Sequence, residues 1–520
     1  MKRALTLLIT FCSLTGLRAP AAQPAKRPLN LLFIMTDQQR WDAMSCAGNP
    51  ALKTPNLDKL ARDGARFTSF YSACPICVPA RTAILTGRST EANGVLSNTD
   101  IEKPGAAPFL SFDQILLRSG YQGEYHGKYH SPYHLTLDYT RPVMWLNGKK
   151  APPGSKATTS EAEAFRSYLA ANVSKRDLKP GELRQSVGIY TPIALDENFG
   201  KANPAKGSQA ESYGRLEVPA EHSLVAFTAK EGLAALDRLK GGPFTLTISI
   251  GPPHPPMIVA EPYYSLYPPD KIPVPASLHD TRANSPYPAK PGRDTTAYRN
   301  VANIRQMTSI YYGMITEVDD WVGRILKRLD ELKLAENTLV IFTSDHGEML
   351  GDHGMHGKFV FYEGSVHVPL LMRLPGVIAP NSVIKAPTSH LDLFPTILDY
   401  LGRAGHESHG QSLRALIEGR ENGKDRVVVS EWPSKAVPAF MVFDGRWKLM
   451  FGATPEARSL DALYDLQSDP QELNNLIGHN PARGQYRAEA ERMKSRLVTW
   501  LEQTKSKQLD GVKARPVIAN

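Results

Sequence analysis

The sequence has no long apolar runs after its first residues, and this absence excludes a polytopic membrane protein. Mean hydropathy is −0.31 over 520 residues. The one apolar stretch that stands out is Ala4–Leu17. Hydrophobic residues make up 42% and charged residues 22% of the chain, ordinary globular values that exclude wholesale disorder. A chain of this length can bury a large core without disulfide bonds.

The N-terminal stretch has the features of an export signal. Lys2 and Arg3 precede the apolar segment, which is short for a membrane span, and Ala19-Pro20-Ala21 offers a cleavage site. We therefore expect residues 1–21 to be a signal peptide and the mature protein to be periplasmic or secreted, without stable membrane association. A single N-terminal anchor helix is the alternative interpretation of the same stretch.

Cysteine is scarce, and blocks of basic residues are absent. Export would leave Cys46, Cys74 and Cys77, and an odd number leaves at least one thiol without an internal partner. The net charge of +9 falls to +6 without residues 1–21, because they carry three basic residues and no acidic ones. A mildly basic protein favours an anionic partner, but scattered Lys and Arg residues do not indicate a nucleic-acid partner.

Strand-like and helical segments alternate along most of the chain. Continuous apolar runs are typical of parallel strands covered on both faces. Residues 29–36 form such a run, further strand candidates lie at 122–126, 244–250 and 339–343, and helical patterns lie at 54–63, 223–239 and 301–332. The alternation predicts an α/β fold, with a large mixed, mostly parallel sheet sandwiched by helices.

The character of the sequence changes near residue 420, where short strand-like runs and a final amphipathic helix follow one another. We predict a catalytic α/β domain over 29–420 and a smaller C-terminal α+β domain over 421–520. Two segments interrupt the first pattern: 131–220 is polar and irregular, and 252–300 is rich in Pro and Tyr. Long loops inside a compact domain are usually functional, so we expect both to shape a substrate pocket.

Polar residues follow directly on two of the predicted strands, where open α/β sheets bind their ligands. Asp37 and Gln38 end the first strand, and Asp345 and His346 end a late one. Carboxylate, amide and imidazole groups from two strand ends can hold one divalent cation. Capping a turn is the more common role of a single Asp, so it is the coincidence of two such pairs that favours a metal site.

A second cluster begins at Cys77. Pro79 suits the first turn of a helix and Gly87 its end, which would place Cys77 at the N-terminus with Arg81 one turn further on the same face. The helix dipole and the guanidinium would acidify a thiol there. Cys74 and Cys77 also form a C-x-x-C pair, so a redox pair, half of a zinc site and a buried structural cysteine remain alternatives.

The C-x-P-x-R motif at Cys77, followed by Thr86-Gly87, resembles the signature of the type I (formylglycine-dependent) sulfatases of the alkaline phosphatase superfamily. Other motifs appear in family order: Asp37-Gln38, Gly127-Lys128-Tyr129-His130, His254, Ser344-Asp345-His346-Gly347, Lys358 and Tyr464-Asp465-Leu466. The resemblance covers about residues 29–478. It implies an alkaline phosphatase-like fold.

The resemblance also implies a mechanism. Cys77 would be oxidised to formylglycine by a formylglycine-generating or sulfatase-maturating enzyme, and the hydrated aldehyde would attack a sulfate ester. Arg81 would stabilise the alkoxide at position 77, and Lys128 and Lys358 would bind sulfate oxygens. Two histidines would transfer protons: His130 as the base that breaks down the sulfated intermediate, and His254 as the donor to the leaving alcohol.

The metal set implied by the resemblance is Asp37, Gln38, Cys77, Asp345 and His346, with Ca²⁺ as the expected ion. Gln38 and His346 stand where other members carry acidic or amide residues, so Mn²⁺ is also compatible.

We expect a sulfatase acting on a sulfated carbohydrate such as a polysaccharide or glycosaminoglycan. A phosphonate or phosphate ester hydrolase and a choline-sulfatase-like enzyme are alternatives within the superfamily, because the Gln/His combination also resembles those enzymes. A non-catalytic thiol or metal-binding protein built on Cys74 and Cys77 is an alternative outside it.

Overall fold

The computed structural model describes residues 28–102, 107–141, 143–145, 157–173, 185–187, 190–195, 213–216, 218–288, 296–432, 434 and 437–518. The predicted signal peptide, residues 1–21, lies outside the described residues.

The described residues form strands and helices that are numbered here in chain order. The strands are β1 (Asn30–Asp37), β2 (Ala65–Phe67), β3 (Phe70–Tyr71), β4 (Gln122–Gly127), β5 (Val143–Trp145), β6 (Ala157–Ser160), β7 (Gln185–Val187), β8 (Tyr190–Leu195), β9 (Tyr213–Leu216), β10 (Phe244–Pro253), β11 (Met257–Ala260), β12 (Thr338–Ser344), β13 (Leu370–Arg373), β14 (Ser382–Ile384), β15 (Thr388–Ser389), β16 (Val428–Trp432), β17 (Ala439–Phe443), β18 (Trp447–Gly452) and β19 (Ala462–Asp465). The helices are α1 (Pro55–Arg62), α2 (Cys77–Thr86), α3 (Thr90–Asn93), α4 (Phe112–Arg118), α5 (Glu161–Asn172), α6 (Leu224–Leu239), α7 (Val301–Glu331), α8 (Glu363–Val366), α9 (Leu393–Tyr400), α10 (Arg414–Ile417), α11 (Arg487–Thr504) and α12 (Leu509–Ala514).

A seven-stranded mixed sheet lies at the centre of the larger part of the chain, in the order β14-β2-β13-β12-β1-β10-β4. Only β13 runs antiparallel to its neighbours among these strands. Strands β1, β10 and β12 are buried along their whole lengths. Burial on both faces explains why β1 and the middle of β12 are nearly continuous apolar runs, and the Thr and Ser residues of β10 are buried as well. The predicted α/β fold with a large, mostly parallel sheet is confirmed.

Alternate residues of β1 serve two separate cores, because successive side chains of a strand point to opposite faces. Leu31 and Phe33 pack into a core with residues of α2, α4 and α9. Leu32 and Ile34 pack into a second core with α1, α6 and α7. The sheet is therefore covered by helices on both faces. Among the described helices, none combines the length and apolar character needed to cross a membrane.

The C-terminal part contains a second sheet, antiparallel throughout, in the order β16-β17-β18-β19. Leu497 and Leu501 of α11 share a core with Val442 and Leu449 of this sheet. This is the smaller α+β unit expected from the sequence. The boundary predicted at residues 420 and 421 stays a prediction.

The prediction of an irregular stretch over 131–220 is wrong for part of its described residues. A four-stranded sheet contains strands β11, β9, β8 and β7 in that order, and β5 pairs with β6. Two features conceal these strands in the sequence. Pro192 lies inside β8, where proline argues against a strand, and β9 pairs with β11, more than forty residues further along the chain.

A buried ion cluster joins the second sheet to the main sheet's loops. Lys448 of β18 is completely buried, and its Nζ lies 2.8 Å from Glu363 Oε1 of α8 and 2.8 Å from Glu472 Oε1. Lys448 is thus the cation that the two carboxylates share. Glu363 also lies 2.8 Å from His367 Nδ1.

We expect Lys448→Met to lower the free energy of unfolding by about 3–5 kcal/mol, because it leaves buried carboxylates without their cation. Denaturant-induced unfolding followed by circular dichroism measures the change. Lys59→Met is the control, because Lys59 pairs with Asp63 on the exposed surface of α1. Equal losses for the two variants would contradict the interpretation.

Candidate active site

Four adjacent parallel strands of the main sheet end at one edge, and each brings polar residues to it. In spatial order these residues are Asp345 and His346 after β12, Asp37 and Gln38 at β1, His254 after β10, and Lys128 and His130 after β4. Parallel strands carry their carboxyl ends to the same edge, so residues separated by hundreds of positions meet there. Two of these residues have left-handed backbones, Gln38 with φ 69° and His130 with φ 44°, and such strain is concentrated at functional sites.

Helix α2 begins at Cys77, as the sequence predicted, and all its residues are buried. It ends at Gly87, whose φ is 64°. A Cβ at this position would lie 2.8 Å from the Phe394 side chain, so both the conformation and the space require glycine. The helix directs Cys77 and Arg81, one turn apart, toward the strand ends.

The Arg81 guanidinium binds two carboxylates together and is itself 1% exposed. Its Nε donates to Asp345 Oδ2 at 2.7 Å, and Nη2 donates to Asp37 Oδ2 at 3.0 Å. Nη1 donates to the Lys128 carbonyl at 2.7 Å and to the Ser249 hydroxyl at 2.9 Å. These contacts make Arg81 a residue that positions Asp37 and Asp345, while its stabilisation of charge at residue 77 stays a prediction. The sequence analysis missed Ser249, which lies inside an apolar run.

Four residues form a buried group that can hold a metal ion: Asp37, Cys77, Asp345 and His346. One ligand atom from each lies within 4.8 Å of the others, and no side chain of the four is more than 1% exposed. His346 Nε2 lies 3.1 Å from Cys77 Sγ and 3.9 Å from Asp37 Oδ1.

Two details of the hydrogen bonding fit a bound cation. Asp37 Oδ1 is buried and has no hydrogen-bond partner among the described residues. His346 Nδ1 lies 3.0 Å from the Gly347 carbonyl, which can only accept, so Nδ1 carries the proton and Nε2 presents its lone pair to the cluster. An unpaired carboxylate oxygen and an inward imidazole lone pair are the donors that a divalent cation requires.

Gln38 completes the predicted ligand set, but its side-chain amide makes other contacts. Its Oε1 accepts from Lys358 Nζ at 2.5 Å, and its Nε2 donates to Glu348. Coordination of the ion by Gln38 stays a prediction. Sequence reasoning missed Glu348, although it follows Asp345 by three residues in the same polar segment.

Positive charge is concentrated around residue 77. Lys128 Nζ lies 2.5 Å from Asp37 Oδ2. Burial opposes ionisation of the Cys77 thiol, but the charges of Lys128 and Lys358 outweigh it and hold the pKa of Cys77 well below its ordinary value. Burial and the Cys77 charge also oppose ionisation of Asp37, yet Lys128 and its cationic neighbours keep the pKa of Asp37 well below its usual range. The site therefore favours anions.

Two histidines, His130 and His254, interact electrostatically with the Cys77 thiol. Burial and the nearby Lys128 lower the pKa of His130 to about 4. Burial, Lys358 and Lys128 lower the pKa of His254 as well. His254 Nδ1 donates to the Pro255 carbonyl at 2.6 Å, so its Nε2, 4.0 Å from Asp37 Oδ1, faces the cluster. The proton-transfer roles stay predictions.

Cys74 and Cys77 form no disulfide in the structure, and both thiols are free. Cys74 is fully buried, and burial together with Glu431 raises the pKa of its thiol well above the ordinary value. Cys74 thus has the character of a structural cysteine.

Part of the segment 252–300 lines a cavity, and the expectation that this segment shapes a substrate pocket stays a prediction. The cavity has a volume of about 460 Å³ and is lined by Pro273 to Ser277, together with Arg40, Asp352 and residues near Glu472. None of the predicted catalytic residues lines it.

The model of the Sulfatase family matches residues 29–403, well over half of the chain. A second family model, described as N-sulphoglucosamine sulphohydrolase, C-terminal, matches residues 351–503.

Similar proteins cover nearly the whole chain. An arylsulfatase of Clostridium perfringens is 27% identical over 93% of this chain and 96% of its own length. A choline-sulfatase of Rhizobium meliloti is 29% identical, covering 87% and 83% of the two chains. An N-acetylglucosamine-6-O-sulfatase of Bacteroides thetaiotaomicron is 25% identical, covering 97% and 91%. Among solved structures, the phosphonate monoester hydrolase of Agrobacterium radiobacter has a TM-score of 0.71 and 26% identity, covering 92% and 96%.

The geometry at residue 77 predicts that a divalent cation stabilises the protein. At a free concentration 100 times its Kd, Ca²⁺ or Mn²⁺ should add about 2.7 kcal/mol to the free energy of unfolding, seen as a higher Tm than in EDTA. Asp345→Asn should remove this gain. Asp113→Asn, which changes a buried carboxylate bonded to Thr245, should keep it. A Tm that stays unchanged with both ions would contradict the predicted metal site.

Proposed function

Since the chain belongs to the sulfatase family, and is thereby a sulfuric ester hydrolase, we propose that it hydrolyses sulfate esters of carbohydrates with an oxidised Cys77 as nucleophile. The observation that carries the proposal is the convergence of Cys77, two lysines and two histidines on one buried cation-binding group. The carbohydrate part is supported by the similarity to the N-acetylglucosamine-6-O-sulfatase, which extends over 97% of this chain.

Asp37, Asp345, His346 and the side chain at position 77 would hold the metal ion, and we propose Ca²⁺, with Mn²⁺ compatible with the imidazole ligand. When bound, such an ion supplies positive charge that offsets repulsion between an anionic ester and the nucleophile. Oxidation of Cys77 to formylglycine would require a maturation enzyme. Export to the periplasm or medium stays part of the proposal.

The chain's own residues have distinct tasks in this reaction. Lys128 and Lys358 present compact charges to the sulfate oxygens. Arg81 keeps the two carboxylates in place through one hydrogen bond to each, and two further hydrogen bonds hold Arg81 itself. His254, with Nδ1 held by the Pro255 carbonyl, would donate from Nε2 to the leaving alcohol once that nitrogen is protonated, and His130 would accept a proton at residue 77.

A second candidate function is hydrolysis of phosphonate esters. The structural similarity to a phosphonate monoester hydrolase supports it, as does the Gln38 and His346 pair. Both reactions need an anion site of this kind, so the acceptor atom, sulfur or phosphorus, must be tested directly.

We expect purified protein to hydrolyse 4-nitrophenyl sulfate, and to prefer it to the phenylphosphonate ester of the same phenol. Kinetics with the two esters measures the preference, and a large preference for the phosphonate would refute the sulfatase assignment of the site.

Cys77→Ala should abolish turnover while the circular dichroism spectrum stays unchanged, because the nucleophile is lost. Mass spectrometry of the peptide containing residue 77 should show the aldehyde; fully active protein with an intact thiol would refute the mechanism.

Lys128→Ala and His254→Ala should each lower kcat/KM by about 10²–10⁴, the usual range for charge-stabilising and proton-transferring groups. His126→Ala is the matched control, because His126 lies in β4 two residues before Lys128 and contacts Glu124 instead of the cluster. A near-normal rate for either variant would remove that residue from the mechanism.

A further inference from the structure

A short line of polar side chains connects Glu348 to Lys358 through Gln38. The Glu348 side chain is 1% exposed. Its Oε1 accepts from the backbone N–H groups of Leu350, at 3.1 Å, and Gly357. Its Oε2 accepts from Gln38 Nε2, and Gln38 Oε1 in turn accepts from Lys358 Nζ. The two carboxylate oxygens therefore have separate partners.

The Oε1 contacts close the loop that precedes Lys358. Leu350 and Gly357 lie at the two ends of this loop, and the Met349 N–H also donates to the Gly357 carbonyl at 2.8 Å. Lys358 follows directly after this closed loop, so its backbone position depends on the Glu348 contacts that close the loop. The Oε2 contact serves the side chain of Gln38 alone.

The backbone of Gln38 is held from both sides. Its N–H donates to Asp345 Oδ1 at 3.1 Å, and its carbonyl accepts from the Tyr311 hydroxyl at 2.8 Å. Only the orientation of its amide is left to be decided. An ionised carboxylate can only accept, so Glu348 draws the NH₂ group and turns the amide oxygen toward Lys358.

We propose that Glu348 is a positioning residue, which orients the Gln38 amide and thereby gives Lys358 the acceptor that holds it beside residue 77. The proposal deepens the proposed function, since it rests on Lys358 binding the ester's charged oxygens. A polar network of this kind is effective only while donors and acceptors alternate along it. Glu348, Gln38 and Lys358 alternate in this way.

Glu348→Gln tests the link without opening the loop. The amide oxygen can keep the Leu350 and Gly357 N–H bonds, but the new NH₂ group faces the NH₂ group of Gln38. Gln38 must then turn over and present a donor to Lys358. We expect kcat/KM for 4-nitrophenyl sulfate to fall about 10- to 100-fold, the usual effect of losing a partner that orients a site residue.

The reciprocal double variant, Gln38→Glu with Glu348→Gln, restores the alternation. Residue 348 then donates to residue 38, whose second oxygen accepts from Lys358. Gln38→Glu alone places two carboxylates in contact. We therefore expect each single variant to be impaired and the double variant to recover most of the lost kcat/KM. The Tm losses, measured in EDTA to remove any metal contribution, should likewise be smaller for the double variant than for the sum of the singles.

Asp319→Asn is the matched control. Asp319 of α7 is fully buried and accepts from two backbone N–H groups and one side-chain amide, at Asn56 and Leu57. It has the same donor set as Glu348 but lies away from residue 77. We expect it to lower Tm and leave kcat/KM close to wild type.

Additive losses in the double variant, or an effect of Glu348→Gln on Tm alone as in the control, would overturn the proposal. So would failure of both Glu348→Gln and the double variant to fold, because the double variant keeps every contact. If the wild-type protein does not hydrolyse the sulfate ester, the proposed function fails. The Tm comparison in EDTA still tests whether Glu348 orients the Gln38 amide toward Lys358.

Discussion

The active cluster depends on one buried guanidinium held between two carboxylates. Asp37 and Asp345 come from neighbouring strands and lie side by side in a space that excludes water, where two like charges repel strongly. Arg81 donates to both, at 3.0 Å and 2.7 Å, and anchors itself to the Lys128 carbonyl and Ser249. Because the guanidinium holds both carboxylates in place, their remaining oxygens and residue 77 can bind a cation together. Without the Arg81 guanidinium, the two carboxylates would lose the hydrogen bonds that fix their positions.

The surrounding fold explains why so few residues suffice. Strands β12, β1, β10 and β4 are parallel neighbours, so each carboxyl end delivers its side chains to one line at the edge of the sheet. Helix α2 begins with Cys77, and the charges of Lys128 and Lys358 lower the pKa of its thiol against the effect of burial. The site combines negative charge for a metal with positive charge for an anion, separated by only a few ångströms. That combination suits an enzyme that must bring a nucleophile to an already anionic ester.

Buried hydrogen bonds and ion pairs also fix side chains outside the cluster. Gln38, Lys358 and Glu348 form a hydrogen-bonded line in which each group has one acceptable orientation. The C-terminal sheet is tied to the loops after β12 by Lys448 and its two carboxylates. Buried polar groups thus fix both the catalytic side chains and the relative position of the sheets. Hydrophobic packing alone has no comparable directionality.

The sequence by itself determined the elements whose signal is local. Largely apolar segments of strand length identified β1, β10 and β12, Pro79 and Gly87 identified helix α2, and the motif at Cys77 identified the family. Tertiary structure alone decided which partner each polar group takes, because hydrogen bonds across the sheet join residues such as Arg81, Asp345 and Ser249 that no local pattern connects. It also decided the strands within 131–220, among which β9 pairs with β11 more than forty residues further along the chain. Distance in sequence carries no information about proximity until the parallel topology is known.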